Sequence, residues 1–181
     1  CRRTRVEEKP VAICRLKRVA ADNRGDITDL LPKIPKQKNG KQIALIGAGP
    51  ASLTVARDLM PLGYECVLFE KDRQGGGLMR TNIPSFRLPV PVLDEEVERI
   101  LEMGVTARFG EEVTSLKSVL DEGFDAVFIG TGAPRGKDLQ IDGRAQADKN
   151  IHLGIDFLTS VAFKHTESIG KRVVVIGGGN T

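Results

Sequence analysis

The sequence predicts an α/β fold with a parallel central sheet, preceded by a short helical N-terminal segment. Short apolar runs alternate with segments of helical periodicity, which is the pattern of strands joined by crossover helices. A glycine-rich turn follows the first apolar run, as it does where a strand leads into a helix. Hydrophobic residues make up 40% of the chain, which is ordinary for a globular domain, and no apolar run is long enough to cross a bilayer.

The first forty residues form a basic N-terminal segment, which we expect to be separate from the domain that follows. Ile13, Leu16 and Val19 recur at helical spacing, so residues 10–21 are predicted to form an amphipathic helix. Two prolines in residues 31–36 then predict an extended linker. The basic residues are spaced through an apolar pattern, and only 4% of the residues are aromatic, so we expect no nucleic-acid partner.

A strand, a glycine turn and a helix follow from residue 41. Residues 42–46 have a buried-strand pattern, the string GAGPAS occupies residues 47–52, and helical periodicity continues to Gly63. A second strand at residues 66–69 ends in Glu70, about twenty residues after the glycine turn. This context and spacing are typical of the dinucleotide-binding fingerprint of Rossmann-like domains.

Each part of this fingerprint has a mechanical reason. Gly47 permits the tight turn, and Gly49 lets the backbone approach a pyrophosphate at the helix N-terminus. Pro50 suits the first helical position, because the N–H that proline lacks would have no hydrogen-bond partner there. Glu70 can accept the hydroxyls of an adenosine ribose and disfavours a 2′-phosphate, so FAD or NAD is expected here rather than NADP. Ser52 replaces the third glycine of the ideal fingerprint, and serine is small enough to keep most of the packing there.

The remaining elements continue the alternation. A second glycine cluster at residues 75–77 brings backbone close to a bulky group or, alternatively, forms a flexible surface loop. The prolines of residues 83–89 exclude a helix or a central strand there. The sequence next predicts an amphipathic helix that ends at Gly104 and a strand at residues 105–109. A short helix capped by Ser115 and a buried strand at residues 126–129 are predicted after them.

Taken together, these motifs resemble the small subunit of glutamate synthase and the flavin half of dihydropyrimidine dehydrogenase. The matching strings are GAGPAS at 47–52, EK at 70–71, GGL at 76–78, IPSFRLP at 83–89 and GTG at 130–132. The resemblance extends over essentially the whole chain, and IPSFRLP is its most specific part. It implies a Rossmann-like FAD-binding domain at residues 41–170, within an FAD-dependent NAD(P)H oxidoreductase that exchanges electrons with iron–sulfur clusters and a larger catalytic subunit.

The resemblance also assigns residues to roles. The residues that it places on FAD are Gly47, Ala48, Gly49, Pro50, Ala51, Glu70, Lys71, Gly76, Gly77, Leu78, Arg87, Val113, Thr131 and Gly132. Gly177 and Gly179 would belong to a second strand-plus-glycine fingerprint, which opens an NAD(P)H-binding domain at residues 171–181. Cys1 would be the last ligand of a [4Fe–4S] cluster, and residues 1–40 would form the end of an N-terminal helical iron–sulfur region followed by a linker. No side chain is expected to act as a nucleophile.

Further expectations concern the setting of the protein. The resemblance implies that the chain is an internal part of a longer protein, bounded inside both outer motifs, and that it oxidises NAD(P)H poorly by itself. Its three cysteines contain no C-x-x-C pair, which argues against a disulfide framework and fits the reduced cytoplasm. We expect no membrane association.

Two other functions remain open at this point. The fold could serve as a non-catalytic docking module for a larger subunit, or it could be a simple NAD-binding dehydrogenase domain. The second option is disfavoured by the glycines at 75–77 and by the string at 83–89. The final electron acceptor, the choice of NADH or NADPH and the oligomeric state are not determined by these residues.

Overall fold

The computed structural model describes residues 1–178, and contacts divide the chain into two compact units, Cys1–Lys33 and Ile34–Thr181. The first unit contains helices α1 (Arg2–Glu7) and α2 (Ile13–Asp22) and a 3₁₀ turn at Thr28–Leu30. The amphipathic helix expected at residues 10–21 is therefore present, displaced by a few residues. Within α2, the guanidinium of Arg18 donates to the carboxylate of Asp22 at 2.7 and 2.8 Å, one turn along the helix.

The second unit is built on a four-stranded parallel sheet with the strand order β3-β2-β1-β4. Its elements are β1 (Gln42–Ile46), α3 (Pro50–Leu59), β2 (Glu65–Glu70), α4 (Leu78–Thr81), α5 (Val90–Leu101), β3 (Thr106–Phe109), α6 (Leu116–Asp121), β4 (Ala126–Ile129) and α7 (Gly154–Ala162). Helices separate the strands along the chain, as a parallel sheet requires. The predicted α/β fold with a parallel central sheet is confirmed.

The central strand β1 is almost entirely buried, because it has a neighbouring strand on each side and packed side chains on both faces. Its alternate residues Ile43 and Leu45 belong to the main core cluster, together with apolar side chains from α3 and α5. Ala44 points to the opposite face and joins a smaller cluster with Phe69 and Val119. The glycine turn therefore follows directly from a buried strand whose position is set by its packing and by two neighbouring strands.

The side chain of Asp125, the residue before β4, is bonded to the start of β1. The Asp125 carboxylate accepts the ammonium of Lys41 at 2.6 Å and the backbone N–H of Gln42 at 2.8 Å. The N–H of Asp125 in turn donates to the carbonyl of Gln42 at 2.9 Å. These bonds hold β4 in register beside β1, so that Ile46 lies opposite Ile129 where the two strands end.

The second strand-plus-glycine segment does not form the strand that we expected. Residues 171–178 contain no strand, and the exposed fractions of Val174 and Val175 are 86% and 82%. An extended segment becomes a strand only when a neighbouring strand satisfies its backbone groups, and the described residues provide none for this segment. The assignment of residues 171–181 to the truncated start of an NAD(P)H-binding domain stays a prediction.

The helices of both units are short. Within residues 1–178, no helix has the length and the apolar character needed to span a membrane.

Candidate functional site

The glycine turn between β1 and α3 is set by backbone geometry. Gly47 has a φ of 91°, a conformation that disfavours side chains, and its N–H donates to the carbonyl of Phe69 at 2.7 Å. A Cβ added at Gly47 would lie 2.7 Å from the carbonyl oxygen of Gly130. The fold itself therefore requires glycine at position 47.

Gly49 differs from Gly47, because no contact within residues 1–178 requires a glycine there. Its φ of −77° is accessible to any residue, and an added Cβ would meet only the Gly130 oxygen, at 3.9 Å. The place that a side chain at position 49 would occupy, beside the first turn of α3, is therefore nearly open. Glycine at this position is what a ligand that approaches the backbone closely would need.

The N-terminus of α3 has the properties of an anion-binding site. Gly49 is the N-cap residue, Pro50 follows at the first helical position, and no side chain caps the helix. The first N–H groups of a helix have no intrahelical partner, and the helix dipole places partial positive charge beside them. A diphosphate could accept those N–H groups, so the residues present fit this part of a dinucleotide.

Glu70 lies at the end of β2 with its carboxylate turned towards the glycine turn. The side chain is buried, and one carboxylate oxygen accepts the N–H of Ala48 at 2.6 Å while the other accepts the N–H of Asp72 at 3.0 Å. Each oxygen keeps a second lone pair that could accept a hydroxyl. Glu70 thus combines a fixed orientation with free acceptor capacity, as binding of a ribose requires. Lys71, the next residue, is exposed.

The second glycine cluster packs directly against the first. The N–H of Gly76 donates to the carbonyl of Ala48 at 2.8 Å, and a Cβ added at Gly77 would lie 2.9 Å from the Cα of Gly49. Gly75 and Gly76 are buried. The alternative of a flexible surface loop does not fit these contacts. Leu78, which follows, begins α4 and is partly exposed.

The end of β4 completes the arrangement. The N–H of Gly130 donates to the carbonyl of Ile46 at 2.8 Å, and a Cβ added at Gly130 would overlap the hydroxyl oxygen of Ser52. Ser52 is fully buried, and its hydroxyl has no hydrogen-bond partner among the residues that the structure describes. Serine at the third fingerprint position is accommodated because the facing residue is glycine. Thr131 and Gly132, just beyond, are exposed.

The remaining residues assigned from the sequence to the FAD site or to the second fingerprint are placed as follows. Val113 packs in the smaller cluster with Ala44 and Phe69, and Arg87 is exposed in the turn before α5. Gly177 is exposed, with nothing within 4 Å of an added Cβ, and Gly179 lies outside the described residues.

Cys1, the candidate cluster ligand, is exposed in the N-terminal unit. Within residues 1–178, no group of three or more His, Cys, Asp or Glu side chains is placed to hold a metal ion. The role of Cys1 as a ligand remains a prediction.

One pair of residues near the site carries no motif and was missed. Arg80 and Asp94 lie on different helices, and their side chains meet beside the second glycine cluster at 2.6 Å. The sequence offered no signal for this pair, because its partners are separated by a loop whose path only the folded structure shows.

Comparison with known proteins identifies the family. The model of the family described as pyridine nucleotide-disulphide oxidoreductase matches residues 41–181. The chain belongs to this family. The match begins at the residue before β1 and covers the glycine turn, Glu70 and the second glycine cluster. The family supports the FAD and NAD(P)H that the sequence predicts, and its description is that of an oxidoreductase family.

Similar proteins include several subunits of larger enzymes. The chain is 38% identical to the NADPH-Fe(3+) oxidoreductase subunit beta of Geobacter sulfurreducens, covering 100% of this chain and 28% of that protein. It is 32% identical to the small chain of the NADPH glutamate synthase of Bacillus subtilis, covering 97% of this chain and 38% of that one. A homologue of the NAD-dependent dihydropyrimidine dehydrogenase subunit PreT from Salmonella typhi is 35% identical to the chain. The match covers 99% of this chain and 43% of that protein.

The resemblance stated from the sequence motifs is confirmed by these relatives. The chain spans less than half the length of each of the three. Among solved structures, Mycobacterium tuberculosis FprA in complex with NADPH is similar, with a TM-score of 0.57 and 22% identity over 66% of this chain and 28% of that one. This likeness supports the fold.

Proposed function

We propose that the glycine turn of residues 47–49, the second glycine cluster and Glu70 bind the ADP half of FAD. The observation that carries this proposal is Gly49, a glycine that the fold does not require, at an uncapped helix N-terminus. Glu70 supports it, because the carboxylate is buried and held at the turn by the N–H of Ala48. Lys71 and Val113 would lie beside the adenosine, and Arg87, Thr131 and Gly132 would contact the cofactor farther along its length.

The protein residues supply binding and orientation in this proposal. The N–H groups at the start of α3 would bind the diphosphate, and Glu70 would accept the ribose hydroxyls. FAD, when bound, supplies the chemistry that links two-electron transfer from a nicotinamide to one-electron transfer. The carboxylate of Glu70 is bonded to the backbone of the turn, and these hydrogen bonds suit it to hold a sugar.

For the protein as a whole, we propose a role in electron transfer between NAD(P)H and iron–sulfur clusters, with a larger catalytic subunit as partner. The names of the relatives support this, since they describe a subunit beta, a small chain and a dehydrogenase subunit of NADPH- or NAD-dependent enzymes. Because residues 171–178 form no strand here, we expect the 181-residue chain to oxidise NAD(P)H slowly even with FAD bound.

The proposal is tested by titrating the purified chain with FAD, FMN and NAD, with flavin fluorescence and absorbance as readouts. We expect FAD to bind, and FMN to bind at least about tenfold more weakly because it lacks the ADP half that the site recognises. A protein that stays colourless after incubation with FAD would favour the docking module. Displacement of FAD by NAD at similar concentration would favour the simple NAD-binding domain.

A matched pair of variants separates cofactor binding from folding. Gly49→Ala should weaken FAD binding at least about tenfold, because the methyl group fills the space in front of the helix. The free energy of unfolding should change by no more than about 1 kcal/mol, since the φ at Gly49 suits alanine. Glu70→Gln should also weaken FAD binding. Unchanged FAD affinity in Gly49→Ala would contradict the proposal.

A further inference from the structure

We propose that Arg80 and Asp94 are a pair of positioning residues that hold the second glycine cluster against the fingerprint turn and thereby set the affinity for FAD. The inference rests on the proposed FAD site. Neither residue belongs to a glycine motif, and neither was assigned to the site from the sequence.

The Arg80 side chain is 8% exposed and makes two directed bonds. Its Nε donates to the carbonyl oxygen of Gly75 at 2.6 Å, and its terminal nitrogen donates to an Asp94 carboxylate oxygen at 2.6 Å. A guanidinium presents its donors in a rigid planar fork, so the two bonds fix the direction of Gly75 relative to Asp94. Asp94 lies on α5, which makes this helix the anchor of the loop.

The glycine cluster needs such an anchor because it has no side chains of its own. A Cβ added at Gly76 would lie 3.0 Å from Leu93 and 3.3 Å from the Cβ of Arg80, and one added at Gly75 would lie 3.2 Å from Val97. The loop is therefore enclosed on one side by α5 and by the stem of Arg80. On its other side lie the residues of the fingerprint turn.

The contacts continue directly to the proposed cofactor site. Gly76 donates its N–H to Ala48, the residue whose own N–H is accepted by Glu70. Gly77 is packed against the Cα of Gly49, in front of the helix N-terminus. A shift of the loop away from α5 would move Gly77 relative to Gly49 and change the shape of the space that FAD would occupy. Arg80 thus acts on the cofactor site through the backbone of the glycine loop.

The test uses the full chain with four variants. Arg80→Gln removes the charge, Arg80→Lys keeps the charge but lacks the fork, and Asp94→Asn removes the partner's charge. Arg99→Gln is the control, because Arg99 makes ion pairs with Glu95 and Glu96 on the same helix, away from the glycine loop. The readouts are the FAD dissociation constant, the thermal midpoint without FAD, and the visible circular dichroism of the flavin at saturating FAD.

We expect Arg80→Lys and Asp94→Asn to weaken FAD binding about tenfold and to change the flavin dichroism at saturation. Arg80→Gln should weaken binding further, to about a hundredfold, and Arg99→Gln should leave both cofactor readouts unchanged. Arg80→Lys keeps the inference testable where Arg80→Gln folds poorly. A lower thermal midpoint with an unchanged dissociation constant and an unchanged dichroism in Arg80→Lys and Asp94→Asn would overturn the inference, since the pair would then serve stability alone.

Discussion

Two segments of this chain have the same sequence pattern and different structures. At residues 43–49 an apolar run is followed by a glycine turn, and the run forms the central strand of a parallel sheet, where Leu45 has no exposed surface. At residues 173–177 a similar run also reaches a glycine, but Val174 is 86% exposed. Gly47 and Gly177 both have positive φ angles, 91° and 113°.

The difference shows what a strand-plus-glycine motif requires beyond its own residues. The first segment has β2 on one side and β4 on the other, and both satisfy its backbone groups. The second glycine cluster and Gly130 then pack around its turn. The second segment has no neighbouring strand among the described residues. Local pattern selects a candidate strand, and neighbouring strands decide whether it forms.

The largest expected effect comes from adding a methyl group at Gly47 and at Gly177, the glycines that follow the two apolar runs and have positive φ. Gly47→Ala should lower the free energy of unfolding by about 4 kcal/mol, because backbone strain and a contact with the Gly130 carbonyl act together. Gly177→Ala has open space around the added Cβ and should lower it by about 1 kcal/mol or less. Urea denaturation followed by circular dichroism measures both. Equal losses in the two variants would show that only backbone strain matters and that the packing around Gly47 does not.

The next effect compares apolar residues of the two runs. Leu45→Ala should lower the free energy of unfolding by about 3 kcal/mol, because it leaves a cavity in the main core cluster. Val174→Ala should change it by less than about 0.5 kcal/mol, because this side chain is exposed. Urea denaturation followed by circular dichroism measures the free energy of unfolding of both variants. A loss above about 2 kcal/mol in Val174→Ala would mean that residues 173–176 are packed in solution.

Thiol labelling sharpens the comparison without disturbing the core. Burial in β2 raises the pKa of the Cys66 thiol to about 11, from an ordinary value of 9.0. The lower thiolate fraction alone slows its reaction with a disulfide reagent about a hundredfold near neutral pH, relative to an exposed thiol. Cys1 and Cys14 are exposed and should react fast, as should the new thiol in Val174→Cys. If the thiol of Val174→Cys reacts as slowly as Cys66, the second segment is protected in solution.

The smallest effect concerns the ion pair that joins β1 to β4. Hydrogen bonding from Lys41 lowers the pKa of the Asp125 carboxyl below its ordinary value of 3.8. A carboxyl with a lowered pKa stabilises the fold above its unfolded pKa, and this contribution is lost as the pH falls through the folded value. The stability of Asp125→Asn should therefore fall less steeply than that of the unsubstituted chain below about pH 4.

The measurement is the urea midpoint of the two proteins between about pH 2 and pH 7. Asp121→Asn is a suitable control, because Asp121 pairs with Lys117 on the exposed surface of α6. Parallel curves for Asp125→Asn and the unsubstituted chain would rule out the contribution of Asp125.

Much of the site could be predicted because its signals are local. The turn glycine Gly47, the proline at the first position of α3 and the acid at the end of β2 each follow from the geometry of one strand, one turn or one helix end. Ser115, which accepts the N–H of Ser118 at the start of α6, was predicted for the same reason. Their spacing along the chain was enough to place them.

By itself, the sequence determined the order of strands and helices, the glycine turn and the acid beside it, because these depend on periodicity and on backbone angles. Only the tertiary structure decided which of two similar segments became a strand, how Ser52 is accommodated opposite Gly130, and that Arg80 and Asp94 enclose the second glycine loop. The physical reason is that these features depend on contacts between residues far apart in the chain, and no local pattern encodes which backbone groups will meet.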